Sequence, residues 1–358
     1  MGFFSNLFKK KTDNAAAEPK IEDTAKVEKT GVSSSLLKQS SNNLVFGNRS
    51  LKAGAMEVEV KDENCSTCLM YHRNNLYNGD SVMDISGVSD RNIANLVIPD
   101  LFNGLKVDEA QEEALNDLPN LESVTFARQM RWIFGIHFAN CPKLKEFKVK
   151  PGATGMTIDS NGFLTSVDNA TLFRIPPAME LADRTLIIDD AYKALQQGFA
   201  NDCQGFDKLV FKAFPEEFYW GMIFDKNYAI HQIQIDCDSD FRIVDGNIVL
   251  SKDGETLVSF CRDIKCLVVP ASVRRIGDGA FLNAKMLEVI DFSKCSHFEG
   301  FEDESGNLES NVGLKKIVLP NASLKEEVEE LISTDDDEDL IGYRPENCVV
   351  MIGSTAAR

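Results

Sequence analysis

One hydrophobic frame, apolar-x-x-apolar-x-apolar, returns along this chain, and few architectures can accept it. It occurs as Ile93-Leu96-Ile98, Leu121-Val124-Phe126, Leu144-Phe147-Val149, Phe206-Leu209-Phe211, Ile230-Ile233-Ile235, Ile264-Leu267-Val269, Leu287-Ile290-Phe292 and Leu314-Ile317-Leu319. A weaker copy is Asp183-Leu186-Ile188. The last two apolar positions lie two residues apart, which puts both on one face of a strand. One short strand with a single apolar face cannot fold alone, but stacked neighbours bury it in a shared core. A spacing of 23 recurs, from 121 to 144, from 183 to 206 and from 264 to 287, as it does in a solenoid. Leu115, Phe138, Phe224, Phe281 and Leu308 each precede a frame by six residues, and Phe199 by seven; these are expected to fill the coil interior opposite the strand.

The two longest intervals contain similar segments, 158–172 and 243–257, related by an offset of 85. Ser166 matches Ser251, Asp168 matches Asp253, and Thr171-Leu172 matches Thr256-Leu257. Each reads as strand, polar turn, strand. Lys252-Asp253-Gly254 is a strong hairpin signal and Val167-Asp168-Asn169 a weaker one. The solenoid is therefore expected to carry hairpin inserts near 158–175 and 243–260, each opening a new block of coils.

The run Leu267-Val-Val-Pro-Ala-Ser-Val-Arg-Arg-Ile-Gly-Asp-Gly-Ala-Phe281-Leu-Asn-Ala-Lys-Met-Leu287-Glu-Val-Ile290 resembles the BspA-like (Treponema-type) leucine-rich repeat. Phe138-Ala-Asn-Cys-Pro-Lys-Leu144 is a second match, and Phe199-Ala-Asn-Asp-Cys203 a looser one. The resemblance spans roughly residues 90–320. It implies a curved, β-rich solenoid; with the hairpins and the caps that exposed end coils need, the expected fold is an α/β repeat solenoid of stacked coils with two inserted β-hairpins and terminal caps. The resemblance also implies a protein-interaction role and no catalytic residues. Many relatives are exported surface proteins, so a cell-surface adhesin is the alternative reading.

Hydrophobic residues make up 43% of the chain, enough to fill a core. The net charge of −18 leaves no basic stripe for nucleic acid. The nine cysteines, the lack of a visible secretory signal and the absence of a run long enough to span a bilayer predict free thiols in a cytoplasmic setting. Cys141 sits where the family's repeats commonly carry a packing cysteine. Cys203, Cys237, Cys261, Cys266, Cys295 and Cys348 are read as buried or incidental.

Residues 1–11 form an apolar and basic head. Phe3, Phe4, Leu7 and Phe8 share one helical arc, and Lys9, Lys10 and Lys11 follow. This head suits at most a weak, reversible contact with the inner membrane face, because a helix so short is costly to nucleate. Residues 12–43 read as a disordered linker. Residues 44–90, with the strand-like alternation at 56–60, read as an N-terminal cap, residues 91–321 as the solenoid and 322–358 as a C-terminal cap. In that last segment Ser323-Leu-Lys-Glu326 matches a capping box and 349–352 a closing strand.

Chemical candidates are sparse. Cys65 and Cys68 with His72 offer a zinc or redox pattern, but a structural zinc site needs a second ligand pair. Asp236-Cys-Asp-Ser-Asp240 begins like a calcium loop but has Phe241 at its sixth position and Asn247 at its twelfth. The four histidines are scattered, and no nucleophile, zinc-protease or phosphate-loop motif occurs. No enzyme activity, catalytic residue or cofactor is expected. The expected site is the strand face turned away from the core: Ser123 and Thr125, Glu146 and Lys148, Lys208 and Val210, Gln232 and Gln234, Cys266 and Val268, Val289 and Asp291, Lys316 and Val318. Its mixture of charge, amide and valine suits a protein or peptide partner.

Overall fold

The repeated frames become strands that pair side by side, residue for residue. The structure is a computed structural model. It describes residues 45–46, 49–50, 69–75, 81–111, 113–130, 137–216, 218–224, 227–301, 308, 311, 313–332 and 348–353. All of these belong to one unit, Lys38–Arg358. The expectations for the 1–11 head, the 12–43 linker, the strand at 56–60 and the Cys65/Cys68 pair lie outside the described residues.

Three parallel sheets form what we call ladders. The first pairs Asn95–Val97, Ser123–Phe126 and Glu146–Val149. The second pairs Thr185–Ile188, Lys208–Phe211 and Gln232–Ile235. The third pairs Cys266–Val268, Val289–Asp291, Lys316–Leu319 and Val349–Ile352. Leu96, Val124, Leu186, Leu209, Ile290 and Ile317 are each fully buried beneath them. So are the opposite coil residues Leu115, Phe199, Phe224 and Phe281, with Phe138 and Leu308 nearly so. Val149, Ile235 and Ile264 are only partly buried: they pack at the margins of their clusters.

The weak copy at 183 is a true rung. Asp183 is exposed, yet Leu186 and Ile188 are buried and pair in register with Leu209 and Phe211. The backbone match therefore survives loss of the first apolar position.

Two antiparallel meanders separate the ladders. Thr157–Ile158, Leu164–Thr165 and Thr171–Arg174 form one; Phe241–Val244, Ile248–Ser251 and Thr256–Phe260 form the other. The last strand of each then pairs in parallel with a short rung strand, Ala194–Leu195 or Arg275–Ile276. A comparable sheet joins Leu69–Asn75 and Ser81–Val88, ahead of the first ladder, to Leu105–Ala110, between its first two strands.

The meanders are walls between cores. Alternation along a strand sends successive side chains to opposite faces. Ile248 and Leu250 join the core under the third ladder, while Val249 joins the core under the second. Likewise Leu164 packs under the first ladder and Phe163 under the second. A strand buried on both faces reads as a continuous apolar run, as Ile248-Val249-Leu250 does.

The coil turns close on residues that tolerate the left-handed region. Asp117, Asn140, Asp202 and Asn283 have φ of 56, 57, 60 and 57°. Asn and Asp reach this conformation more readily than other residues with a side chain. The Asp117 amide donates to the Ala139 carbonyl at 2.8 Å, and Asn140 Nδ2 donates to Asp117 Oδ1 at 2.7 Å, so these turns also join rung to rung.

Helix is scarce among the described residues. Gly221–Phe224 and Lys325–Leu331 are the α-helical segments, so most coils return through turns. Ahead of the second, Asn321 Oδ1 accepts from the Ser323 amide at 2.9 Å and from the Ser323 hydroxyl. No helix among the described residues is long and apolar enough to cross a membrane.

Candidate functional site

Because each ladder strand is short and in register, its outward residues line up in two rows per sheet. In the first ladder the rows are Asn95–Ser123–Glu146 and Val97–Thr125–Lys148. In the second they are Thr185–Lys208–Gln232 and Ile187–Val210–Gln234. In the third they are Cys266–Val289–Lys316–Val349 and Val268–Asp291–Val318–Met351.

Most of the expected face is accessible. Glu146, Lys148, Gln232, Cys266 and Val268 are exposed, and Thr125, Lys208, Gln234, Val289, Asp291, Lys316 and Val318 are half-buried. Two residues are corrected. Ser123 and Val210 are buried, at 6% exposure each. Both are small and sit on a central strand between longer neighbours: Ser123 donates to Asn95 Oδ1 at 2.7 Å, and Val210 lies in register between Ile187 and Gln234. Neither offers a partner much surface.

The chemistry of the face changes from ladder to ladder. The first carries an ion pair, Lys148 to Glu146 at 2.8 Å, two residues apart on one strand and so on one face. The second carries amides, with Gln234 Nε2 donating to Asp236 Oδ1 at 2.7 Å. The third mixes apolar and charged side chains: Val268, Val349 and Met351 are 38, 54 and 46% exposed, with Asp291 and Lys316 in the rows beside them. Val349 and Met351 extend both rows, a role that pattern reading missed because 349–352 looked like a closing strand and nothing more. Ile187, 40% exposed, was missed because its frame begins with a polar residue. Strand alternation through Leu186 and Ile188 would have found it.

Ion pairs brace the rungs beside this face. Lys145 reaches Glu122 at 2.9 Å, Arg184 reaches Asp207 at 2.7 Å, and Lys315 reaches Glu288 at 2.6 Å. Their side chains remain 38–69% exposed, so each is a modest, salt-sensitive tie. The Lys145 hydrogen bond holds the Glu122 carboxyl below its ordinary range, and Lys315 does the same for Glu288.

The described cysteines Cys141, Cys203, Cys237, Cys261, Cys266, Cys295 and Cys348 are free thiols. Burial pushes Cys203 up to about 12 and Cys141 and Cys295 up to about 11. Each of these three thiols donates to a backbone carbonyl of a preceding rung, Ile175, Leu115 and Pro270 respectively. A thiol held protonated is a poor nucleophile and a poor metal ligand. Cys266 is exposed on the outward face of the third ladder, where strand alternation put it.

Among the described residues no three His, Cys, Asp or Glu side chains converge as a metal site. His72 lies on the strand Leu69–Asn75, and its side chain, like Cys65 and Cys68, lies outside the described residues. His231 Nδ1 meets Asp263 at 2.8 Å on the surface, with no nucleophile in that pairing.

Comparison with known proteins agrees with this geometry. The BspA-type leucine-rich-repeat region matches in six copies over residues 89–182 and 242–326, half of the chain. The interval between, 183–241, holds the second ladder. No curated protein matches the sequence. Similar solved structures include a leucine-rich-repeat protein of T. pallidum, 18% identical over 78% of this chain and 96% of that one, with a TM-score of 0.22. A leucine-rich cell-surface protein of Faecalibacterium prausnitzii is 14% identical over 70% and 81%, with a TM-score of 0.25. A leucine-rich-repeat protein of Eubacterium ventriosum is 13% identical over 71% and 76%, with a TM-score of 0.27. With its frame folded into stacked rungs and half its length matched by the repeat, this chain belongs to the BspA-type leucine-rich-repeat family.

Proposed function

We propose that this chain is a non-catalytic protein-interaction module, and that a protein or peptide partner lies across the outward rows of the ladders. The observation that carries this reading is the set of exposed apolar side chains on the third ladder, Val268, Val349 and Met351; Met351 is in register with the half-buried Val318, and Asp291 and Lys316 lie between the other valines of the two rows. Apolar side chains held on a rigid sheet at 4.7–4.9 Å strand spacing give a partner area to cover without loss of protein entropy. The amides and charges of the other ladders supply orientation. The family's repeat architecture supports the same role. The free state of the described cysteines fits a reducing compartment, and the reading places the chain in the cytoplasm.

The test is capture of a specific partner by the intact chain. Gln234→Glu, Val268→Glu and Val289→Glu together should abolish capture while leaving the circular dichroism spectrum unchanged. A control variant, Lys285→Glu with Met286→Glu, changes exposed residues off the ladders and should retain capture. Retention by the ladder variant and loss by the control would move the site elsewhere. Fractionation of the source cells tests the compartment: recovery with the outer surface would remove the cytoplasmic assignment.

A further inference from the structure

At the carboxyl ends of two second-ladder strands the chain builds a feature the repeat does not require. The loop after Lys208–Phe211 and the loop after Gln232–Ile235 enclose a notch of about 250 Å³. Its apolar walls are Phe214, Phe218 and Phe241, all half-buried. Phe214 lies 5.2 Å from Phe218 and 5.6 Å from Phe241, centroid to centroid. Trp220 backs the notch, edge-on to Phe218 at 5.2 Å and to Phe241 at 5.5 Å. Glu216, Asp238 and Asp240 form the rim, and all three are exposed.

Half-buried rings beside exposed carboxylates attract one class of group. The face of an aromatic ring is negative and draws a cation, and a carboxylate rim adds full charge. A lysine side chain matches both parts, because its four-carbon stem packs on apolar surface while its head stays at a polar edge. One lysine of the chain already meets the rim: Lys252 Nζ lies 3.3 Å from Asp238, although Asp238 is 97% exposed. That contact engages one carboxylate of the rim. The net charge of −18 also favours approach of a basic partner. The calcium-like run at 236–240 gains a different role here: Asp238 and Asp240 line the notch just ahead of Phe241.

We propose that this notch is a socket for a lysine side chain of a protein partner. It stands apart from the outward rows and is tested by itself. The probe is N-acetyl-lysinamide, with N-acetyl-norleucinamide as the uncharged stem of similar length, at matched ionic strength. Trp220 is the reporter, made the sole tryptophan of the full chain by Trp132→Phe. Saturable quenching by the lysine probe in the range of about 1–100 mM is expected, with a response at least about fivefold weaker to norleucine, the loss expected of one cation–π contact. Asp238→Asn with Asp240→Asn, both on the exposed rim, should weaken the lysine response and flatten its salt dependence. Phe218→Leu should weaken it while keeping the apolar volume. Equal responses to the two probes, an unchanged response in the rim variant, or a response to calcium chloride alone would each overturn the proposal.

Discussion

If the meanders wall off separate cores, adjacent residues on one strand should destabilise different parts of the protein. Val249 and Leu250 are both fully buried on the strand Ile248–Ser251, yet Val249 faces the core of the second ladder and Leu250 that of the third. Leu250→Ala removes three carbons, about 2.4 kcal/mol at roughly 0.8 kcal/mol each. A cavity that cannot collapse raises this to about 3–5 kcal/mol. Val249→Ala removes two carbons, about 1.6 kcal/mol before any cavity cost. At about 1.4 kcal/mol per decade, the leucine change raises local opening by roughly a hundredfold or more. In a repeat array stability is a sum of nearest-neighbour terms, so the increase should be local. Native-state amide exchange reads it directly. Leu250→Ala should speed exchange in Cys266–Val268, Val289–Asp291 and Lys316–Leu319, and Val249→Ala in Thr185–Ile188, Lys208–Phe211 and Gln232–Ile235. Equal acceleration of both ladders by both variants would refute the wall and leave one undivided core.

Gly205→Ala should destabilise the second block by roughly 1–3 kcal/mol in urea titration, because a Cβ there would sit 1.7 Å from the Met179 carbonyl oxygen. Iodoacetamide at neutral pH should label exposed Cys266 well before buried Cys203, with peptide mass spectrometry as the readout; equal rates would contradict the packing of Cys203. Arg262→Ala should cost about 3 kcal/mol, since the buried guanidinium, pushed down to about 10 by burial, donates to the Phe260 and Leu282 carbonyls and lies over Phe224 and Phe260. The Glu122 and Glu288 carboxyls are held below the ordinary 4.5 by their lysines, so their stabilisation is complete above that pH and is lost as pH falls below it. Urea midpoints of wild type and of Glu122→Gln with Glu288→Gln should therefore differ at pH 6, with the difference shrinking as the pH is lowered below 4.5.

Much of the candidate face was legible because strand alternation is a local rule. Knowing that Leu267 and Val269 are buried is enough to turn Val268 outward. The rule fails where shading decides exposure: Ser123 and Val210 obey the alternation but are covered by neighbours 23–28 residues away in sequence. The aromatic socket was illegible for a similar reason. Phe214 and Phe218 occupy one loop and Phe241 follows another, and nothing in their spacing announces that the loops meet.

The sequence by itself determined the rungs: an apolar pair two residues apart, repeated, has no stable use except burial beside its own copies. It also determined the turns, since Asn and Asp two or three residues after Leu115, Phe138, Phe199 and Phe281 tolerate the left-handed backbone each coil needs. Only the tertiary structure decided that the stack is divided into cores by two meanders, and which side each meander residue serves. That choice depends on which long-range neighbours arrive at each face, and a single strand carries the alternation without saying what lies on either side.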